Sequence, residues 1–166
     1  MNWKPPFPNE PHAFRNGSPL IQEQYFDDQH ARWKMLVTCL SLNLTTGKQA
    51  RSVLPILFEV YDTPDKLADA CPNRLYDILK PLGMVNKRVI TYKRFSQEYT
   101  MGFKRVKDLY GCGQYAQDSD DIFFSGLWQN FLEKAPQDGE LKRYVNFLSI
   151  VYNIRVTGDN NDMLDK

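Results

Sequence analysis

The chain has 166 residues, 42% of them hydrophobic and 25% charged, enough for one domain whose core needs no covalent staples. Its three cysteines, Cys39, Cys71 and Cys112, are odd in number and far apart, which excludes a disulfide framework or a four-cysteine metal or iron–sulfur site and suits a reducing compartment. A net charge of +1 is low for a nucleic-acid binder, and a Pro-rich, polar N-terminus without a long apolar run argues against a secretory leader or a membrane role.

Residues 1–18 carry Pro5, Pro6, Pro8 and Pro11 and read as an extended arm, because each proline removes a donor and restricts its predecessor. A short helix over 19–26 follows. Trp33, Leu36, Val37, Leu40, Ser41 and Leu44 recur at three- and four-residue spacing, which predicts an amphipathic, largely buried helix over 31–44. Thr45-Thr46-Gly47 ends it and caps the next. There Ala50, Val53, Leu54, Leu57, Val60 and Tyr61 keep the helical period up to Asp62-Thr63-Pro64, with a kink expected at Pro55.

Thr63 then caps a helix with Leu67 and Ala70, Pro72 opens another with Leu75, Ile78 and Leu79, and Pro81-Leu82-Gly83 breaks it. Residues 84–99 predict a longer helix with Val85, Val89, Tyr92, Phe95 and Tyr99 on one side. Two helices, 103–109 and 114–124, flank a glycine turn, and a last helix over 141–154 follows Asp138 as its N-cap. The polar tail, 157–166, is expected to be disordered. With no strand alternation and no repeat, the expectation is an all-α domain over 19–156.

The glycine turn is Leu109-Tyr110-Gly111-Cys112-Gly113-Gln114-Tyr115. Two glycines around one small residue, at the start of a helix, let the backbone turn tightly and present bare N–H groups, a geometry suited to phosphate. Charge is unevenly spread about it. Between Lys80 and Lys107 there are eight basic residues against one acid, Glu98, while Asp108 to Glu140 carries seven acids against one lysine. A solvated helix face and a basic footprint for nucleic acid both fit that block. His12 and His30 are isolated and suggest no metal site.

In one order the chain also carries Trp3-Lys4-Pro5-Pro6, Ser18-Pro19-Leu20-Ile21-Gln22-Glu23, Trp33-Lys34, Leu42-Asn43-Leu44-Thr45-Thr46-Gly47-Lys48, Leu79-Lys80-Pro81-Leu82-Gly83, Asp118-Ser119 and Asp138. Through these it resembles, from Trp3 to about Leu148, the glycosylase domain of the methyl-CpG-binding-domain mismatch glycosylases. The resemblance implies a helix-hairpin-helix DNA glycosylase fold with no iron–sulfur cluster, metal or cofactor. It implies a monomer acting in the nucleus on double-stranded DNA, removing thymine or uracil opposite guanine, without strand cleavage.

Residue by residue, the resemblance implies that Asp138 is the catalytic carboxylate and that Gln22 and Tyr115 read the extruded pyrimidine. Met84 is the apolar wedge, and Gly111, Cys112, Gly113 and Gln114 clamp the backbone. Lys48, Lys87 and Arg88 supply basic DNA contacts. Tyr115 stands where bifunctional relatives place a Schiff-base lysine, and a phenol cannot form an imine.

Four departures accompany the match. Leu44 stands where the family has an arginine that fills the space left by the flipped base. Asp120 and Asp121 replace a tyrosine and an arginine, which places negative charge near the expected phosphates and lowers the expected affinity. Glu140 replaces a lysine, and the Trp128–Asp138 segment is longer. The alternative is a domain that has lost catalysis and serves as a DNA- or protein-binding scaffold, with Asp138 retained only as a helix cap.

Overall fold

The computed structural model describes residues 29–152, and among them all regular structure is helical. The N-terminal arm, the 19–26 helix, Gln22 and the tail lie outside the described residues. Seven α-helices follow in order: α1 (Ala31–Leu42), α2 (Gly47–Val60), α3 (Pro64–Ala68), α4 (Pro72–Leu79), α5 (Val85–Met101), α6 (Gln114–Phe123) and α7 (Gly139–Val151). Single 3-10 turns lie at Lys80–Leu82, Val106–Asp108 and Trp128–Phe131. None of the described helices is long and apolar enough to cross a membrane.

The first helix is the axis of the fold, packed against α2, α5 and α6. Of its residues from Ala31 to Ser41, all but Arg32 are buried, so it is enclosed on every side rather than along one face. Its polar groups are met accordingly: Trp33 Nε1 donates to Ser96 Oγ at 3.1 Å, and the Ser41 and Tyr92 hydroxyls share a bond of 2.6 Å. Trp33 packs edge-on to Phe58 with ring centres 5.7 Å apart. Leu54, Leu57, Leu67, Leu75, Leu79 and Phe95 complete this core.

Caps set the helix starts much as the sequence predicts. Thr46 and Gln49 form a reciprocal capping box on α2, Thr63 accepts from Lys66 N at 3.3 Å, and Pro72 opens α4. A second, smaller cluster joins α6 to α7 through Ile122, Phe123, Trp128, Leu141, Tyr144, Val145 and Leu148. Phe123 and Tyr144 meet there at 4.9 Å.

Two predicted helices are corrected. The first ends at Leu42, because Asn43 turns to extended backbone and Leu44 to a left-handed φ of 57°, so Leu44 leaves the buried stripe and is 82% exposed. The segment 103–109 is no helix either. Gly102, at φ 90°, ends α5, and Arg105 is extended. Only one 3-10 turn follows, closed by the bidentate pairing of Arg105 with Asp108 at 2.9 and 2.7 Å.

Candidate active site

The hairpin is built from α5 outward. Glu98, near the end of α5, accepts from Tyr110 N at 2.7 Å while Arg94 binds its other oxygen at 2.8 Å and stacks over the Tyr110 ring at 4.0 Å. Burial alone would raise the Glu98 carboxyl, but the Tyr110 N–H and the Arg94 guanidinium outweigh it and hold the group below its ordinary value. Leu109 plugs into the core at 4% exposure, and Cys112 N closes a turn on Leu109 O at 3.0 Å.

The two glycines do different things. Gly111 adopts φ +81°, and a Cβ there would lie 2.4 Å from Thr91 Cγ2 and 3.3 Å from Leu40 Cδ2, so the hairpin approaches α1 and α5 as only glycine can. Gly113 is extended, and a Cβ on it would meet nothing within 4 Å. It stands at the N-cap of α6, and among the described residues no side-chain cap bond closes that end of the helix. Gln114 turns its side chain back to Asp118, 2.7 Å away.

Asp138 reaches the same place from the other side. Its Oδ1 accepts from both Glu140 N and Leu141 N at 3.0 Å, capping α7, while no hydrogen bond among the described residues engages Oδ2. Leu141 is fully buried against α6, so the helix that carries the hairpin also fixes the carboxylate. A cavity of about 690 Å³ opens between them. Asp138 and Glu140 line it together with the hairpin from Gly111 to Ala116, the end of α1 at Cys39, Leu40 and Leu42 with Asn43 and Leu44 just beyond it, and Gly47 and Arg51 on α2. That volume is in the range of small-ligand sites. Tyr115, half-buried, packs against both hydrophobic clusters at its edge. Burial pushes the Cys39 and Cys112 thiols up to about 12, so neither is a nucleophile at neutral pH.

Of the residues singled out in the sequence, Asp138, Tyr115, Gly111, Cys112, Gly113 and Gln114 meet around this cavity. Met84, Lys48 and Lys87 are exposed outside its lining, and Gln22 lies outside the described residues. The reading of Arg88 as a DNA contact is corrected. It is 5% exposed, and its guanidinium donates to Gly83 O, Leu40 O, Asn43 O and Leu82 O at 2.9, 2.9, 2.7 and 3.4 Å, so it faces the backbone and not a ligand.

The placement of Asp120 near phosphate is corrected as well. It is 2% exposed and accepts a bidentate pair of 2.8 Å bonds from Arg32, whose guanidinium also rests 5.0 Å over Phe103. Asp118 is buried behind Gln114, and Asp121 is half-buried beside Gln117. Asp118 and Asp120 are thus spent inside the protein. Sequence reasoning passed over Arg51, whose four-residue offset from Gly47 places both on one helical face and so carried the signal.

Over 153 residues, 92% of its length, the chain is 32% identical to a methyl-CpG-binding domain protein 4-like protein of Arabidopsis thaliana, of which it covers 31%. Over 92 residues, 51% of its length, it is 34% identical to a thymine/uracil-DNA glycosylase of Pyrobaculum aerophilum, of which it covers 40%. It spans less than half the length of either relative. No family model matches it. Similarity along almost the whole chain makes the protein a homologue of the methyl-CpG-binding domain protein 4-like protein, and this likeness and the all-helical architecture are consistent with a divergent glycosylase domain of that type.

Proposed function

We propose that the chain is a monofunctional DNA glycosylase that excises thymine or uracil from G·T and G·U mismatches in double-stranded DNA, acting as a monomer in the nucleus during base excision repair. The observation that carries this reading is the division of labour at Asp138, which lines the cavity beside the glycine hairpin: one oxygen caps α7, and the other has no hydrogen bond among the described residues.

A base inside a duplex is out of reach, so the nucleotide must be turned out at a cost of a few kcal/mol. The helix start at Gly113, which has no side-chain cap, suits the backbone phosphate beside the lesion, and Lys48 and Lys87 suit its neighbours. Met84, 48% exposed, suits the gap in the stack. In the cavity the Asp138 carboxylate stabilises positive charge growing at the sugar C1′ and orients the attacking water. The C1′–N bond breaks with its electrons going to the base, the water oxygen bonds C1′, and the released proton passes to the carboxylate. Tyr115 has no amine to offer, so the product is an abasic site on an uncut strand. Arg51, the cavity's cationic side chain among the described residues, suits the phosphate of the extruded nucleotide.

Glu140 favours a second reading, a scaffold without turnover, because it places another carboxylate in the cavity lining. The test is product analysis on G·T and G·U duplexes labelled on the mismatched strand. Free base with strand breaks only after alkali supports the glycosylase; breaks without alkali refute monofunctional hydrolysis; intact substrate on a bound duplex supports the scaffold.

A further inference from the structure

Three residues of α5 meet the glycine hairpin from one side. Thr91, Arg94 and Glu98 are spaced by three and four and so share one helical face. Thr91 donates its hydroxyl to Lys87 O at 2.9 Å, and its methyl carbon is the atom that a Cβ on Gly111 would meet at 2.4 Å. One turn on, Arg94 lies over the Tyr110 ring; another turn on, Glu98 Oε2 accepts from Tyr110 N, the N–H just before Gly111. Arg94 Nε closes the set by donating to Glu98 Oε1 at 2.8 Å.

Stability does not account for these charges. The Arg94 side chain is 56% exposed and that of Glu98 29%, and ion pairs so open to water contribute little to folding. What a carboxylate does supply is a firm tie, since a charge-assisted bond to a backbone N–H is shorter and about twice as strong as a neutral one. It also brings negative charge to within one residue of a turn suited to phosphate, where a bare carboxylate would repel the ligand. The Arg94 guanidinium cancels that charge, and its contact with the Tyr110 ring holds the same residue from a second side.

We infer that Glu98 and Arg94 are positioning residues of the phosphate clamp. Glu98 sets the pitch of the hairpin through the Tyr110 N–H, and Arg94 locks that strut and neutralises it, so that the phosphate meets no bare carboxylate. The inference rests on the glycosylase reading and adds to it the residues that orient the clamp. Neither residue lines the cavity that holds Asp138, so their effect falls on duplex binding and not on the chemical step.

The test uses a G·T duplex at low salt, well below the melting temperature of each variant. Fluorescence anisotropy gives affinity, and single-turnover base release at rising protein concentration separates the half-saturating concentration from the rate at saturation. Glu98→Ala should weaken affinity and raise the half-saturating concentration about tenfold, with the saturated rate within about twofold of the parent chain. Glu98→Gln, still an acceptor for the Tyr110 N–H, should stay within about threefold on both readouts. Arg94→Ala leaves the carboxylate uncompensated and should also lose about tenfold in affinity. Adding Glu98→Gln to Arg94→Ala removes both charges and should bring affinity back to within about threefold of the parent.

If Glu98→Ala binds like the parent, or loses as much in the saturated rate as in affinity, the strut is overturned while the glycosylase reading stands. If the Arg94→Ala loss persists in full in the double variant, Arg94 holds phosphate itself and its neutralising role is overturned. The Arg94 pair of variants decides the question should Glu98→Ala not fold. If the parent chain binds duplex but releases no base, the glycosylase reading falls and anisotropy alone decides the strut; if it binds no duplex, both fall together.

Discussion

Substituting each glycine of the hairpin with alanine separates the fold from its use. At Gly111 the left-handed φ costs an alanine about 1–2 kcal/mol. Its Cβ, 2.4 Å from Thr91 Cγ2, adds about 1–2 kcal/mol by forcing a β-branched side chain off its rotamer or the hairpin away from α5. A loss near 3 kcal/mol lowers the melting temperature by roughly 9 °C at about 3 °C per kcal/mol for a chain of this size. At Gly113 the backbone is extended and no atom lies within 4 Å of a new Cβ, so alanine is accommodated and should melt within about 2 °C of the parent chain. Its methyl group would stand where the proposed phosphate approaches, and duplex affinity by fluorescence anisotropy at low salt should fall at least about tenfold. A Gly113→Ala chain that binds like the parent, or a Gly111→Ala chain that melts like it, would refute this reasoning.

Other expectations follow from single contacts. Asp138→Ala should lower the melting temperature by about 3 °C through loss of the α7 cap, whereas Asp138→Asn, which retains an acceptor at Oδ1, should melt like the parent chain; equal losses in calorimetry would show that the cap is not the structural role. Glu98 is held below its ordinary value of 4.5, so its contribution to stability is complete above that value and is lost as the pH falls below it; Glu98→Gln should flatten the acid limb of a stability-versus-pH curve measured by urea denaturation. Asp120→Ala should destabilise the fold by about 2 kcal/mol, less than a fully buried pair would lose because Arg32 remains 38% exposed, and should leave duplex affinity in the folded chain unchanged. A gain in affinity would place that carboxylate near phosphate after all.

The all-helical fold was legible because its signals are local. The Thr46–Gln49 capping box, Thr63 before Pro64 and Asp138 before Gly139 each act within one turn of chain, and a three-to-four-residue apolar period survives whatever packs against it. The meeting of the hairpin with Asp138 was implied by the family resemblance. What a single sequence does not display is burial of charge. Arg88 and Asp120 are written with the same letters whether they face water or, as here, a ring of carbonyls and a guanidinium. Leu44 was misread for the complementary reason. It continues the apolar period of α1 by one more turn, but Asn43 has already left the helix, and periodicity does not register a change of backbone. The 103–109 segment failed as a helix because Gly102 ended α5 and the Arg105–Asp108 pair closed a tighter turn.

The most direct test of the central claim is the single-turnover rate of base release from G·T and G·U duplexes, with the parent chain and Asp138→Asn each at saturating concentration. Release by the parent chain that falls at least about a hundredfold in a variant of unchanged melting temperature and affinity is the predicted result. Equal rates for the two would leave Asp138 as a helix cap, and the absence of release by the parent chain on a saturated duplex would contradict the glycosylase assignment.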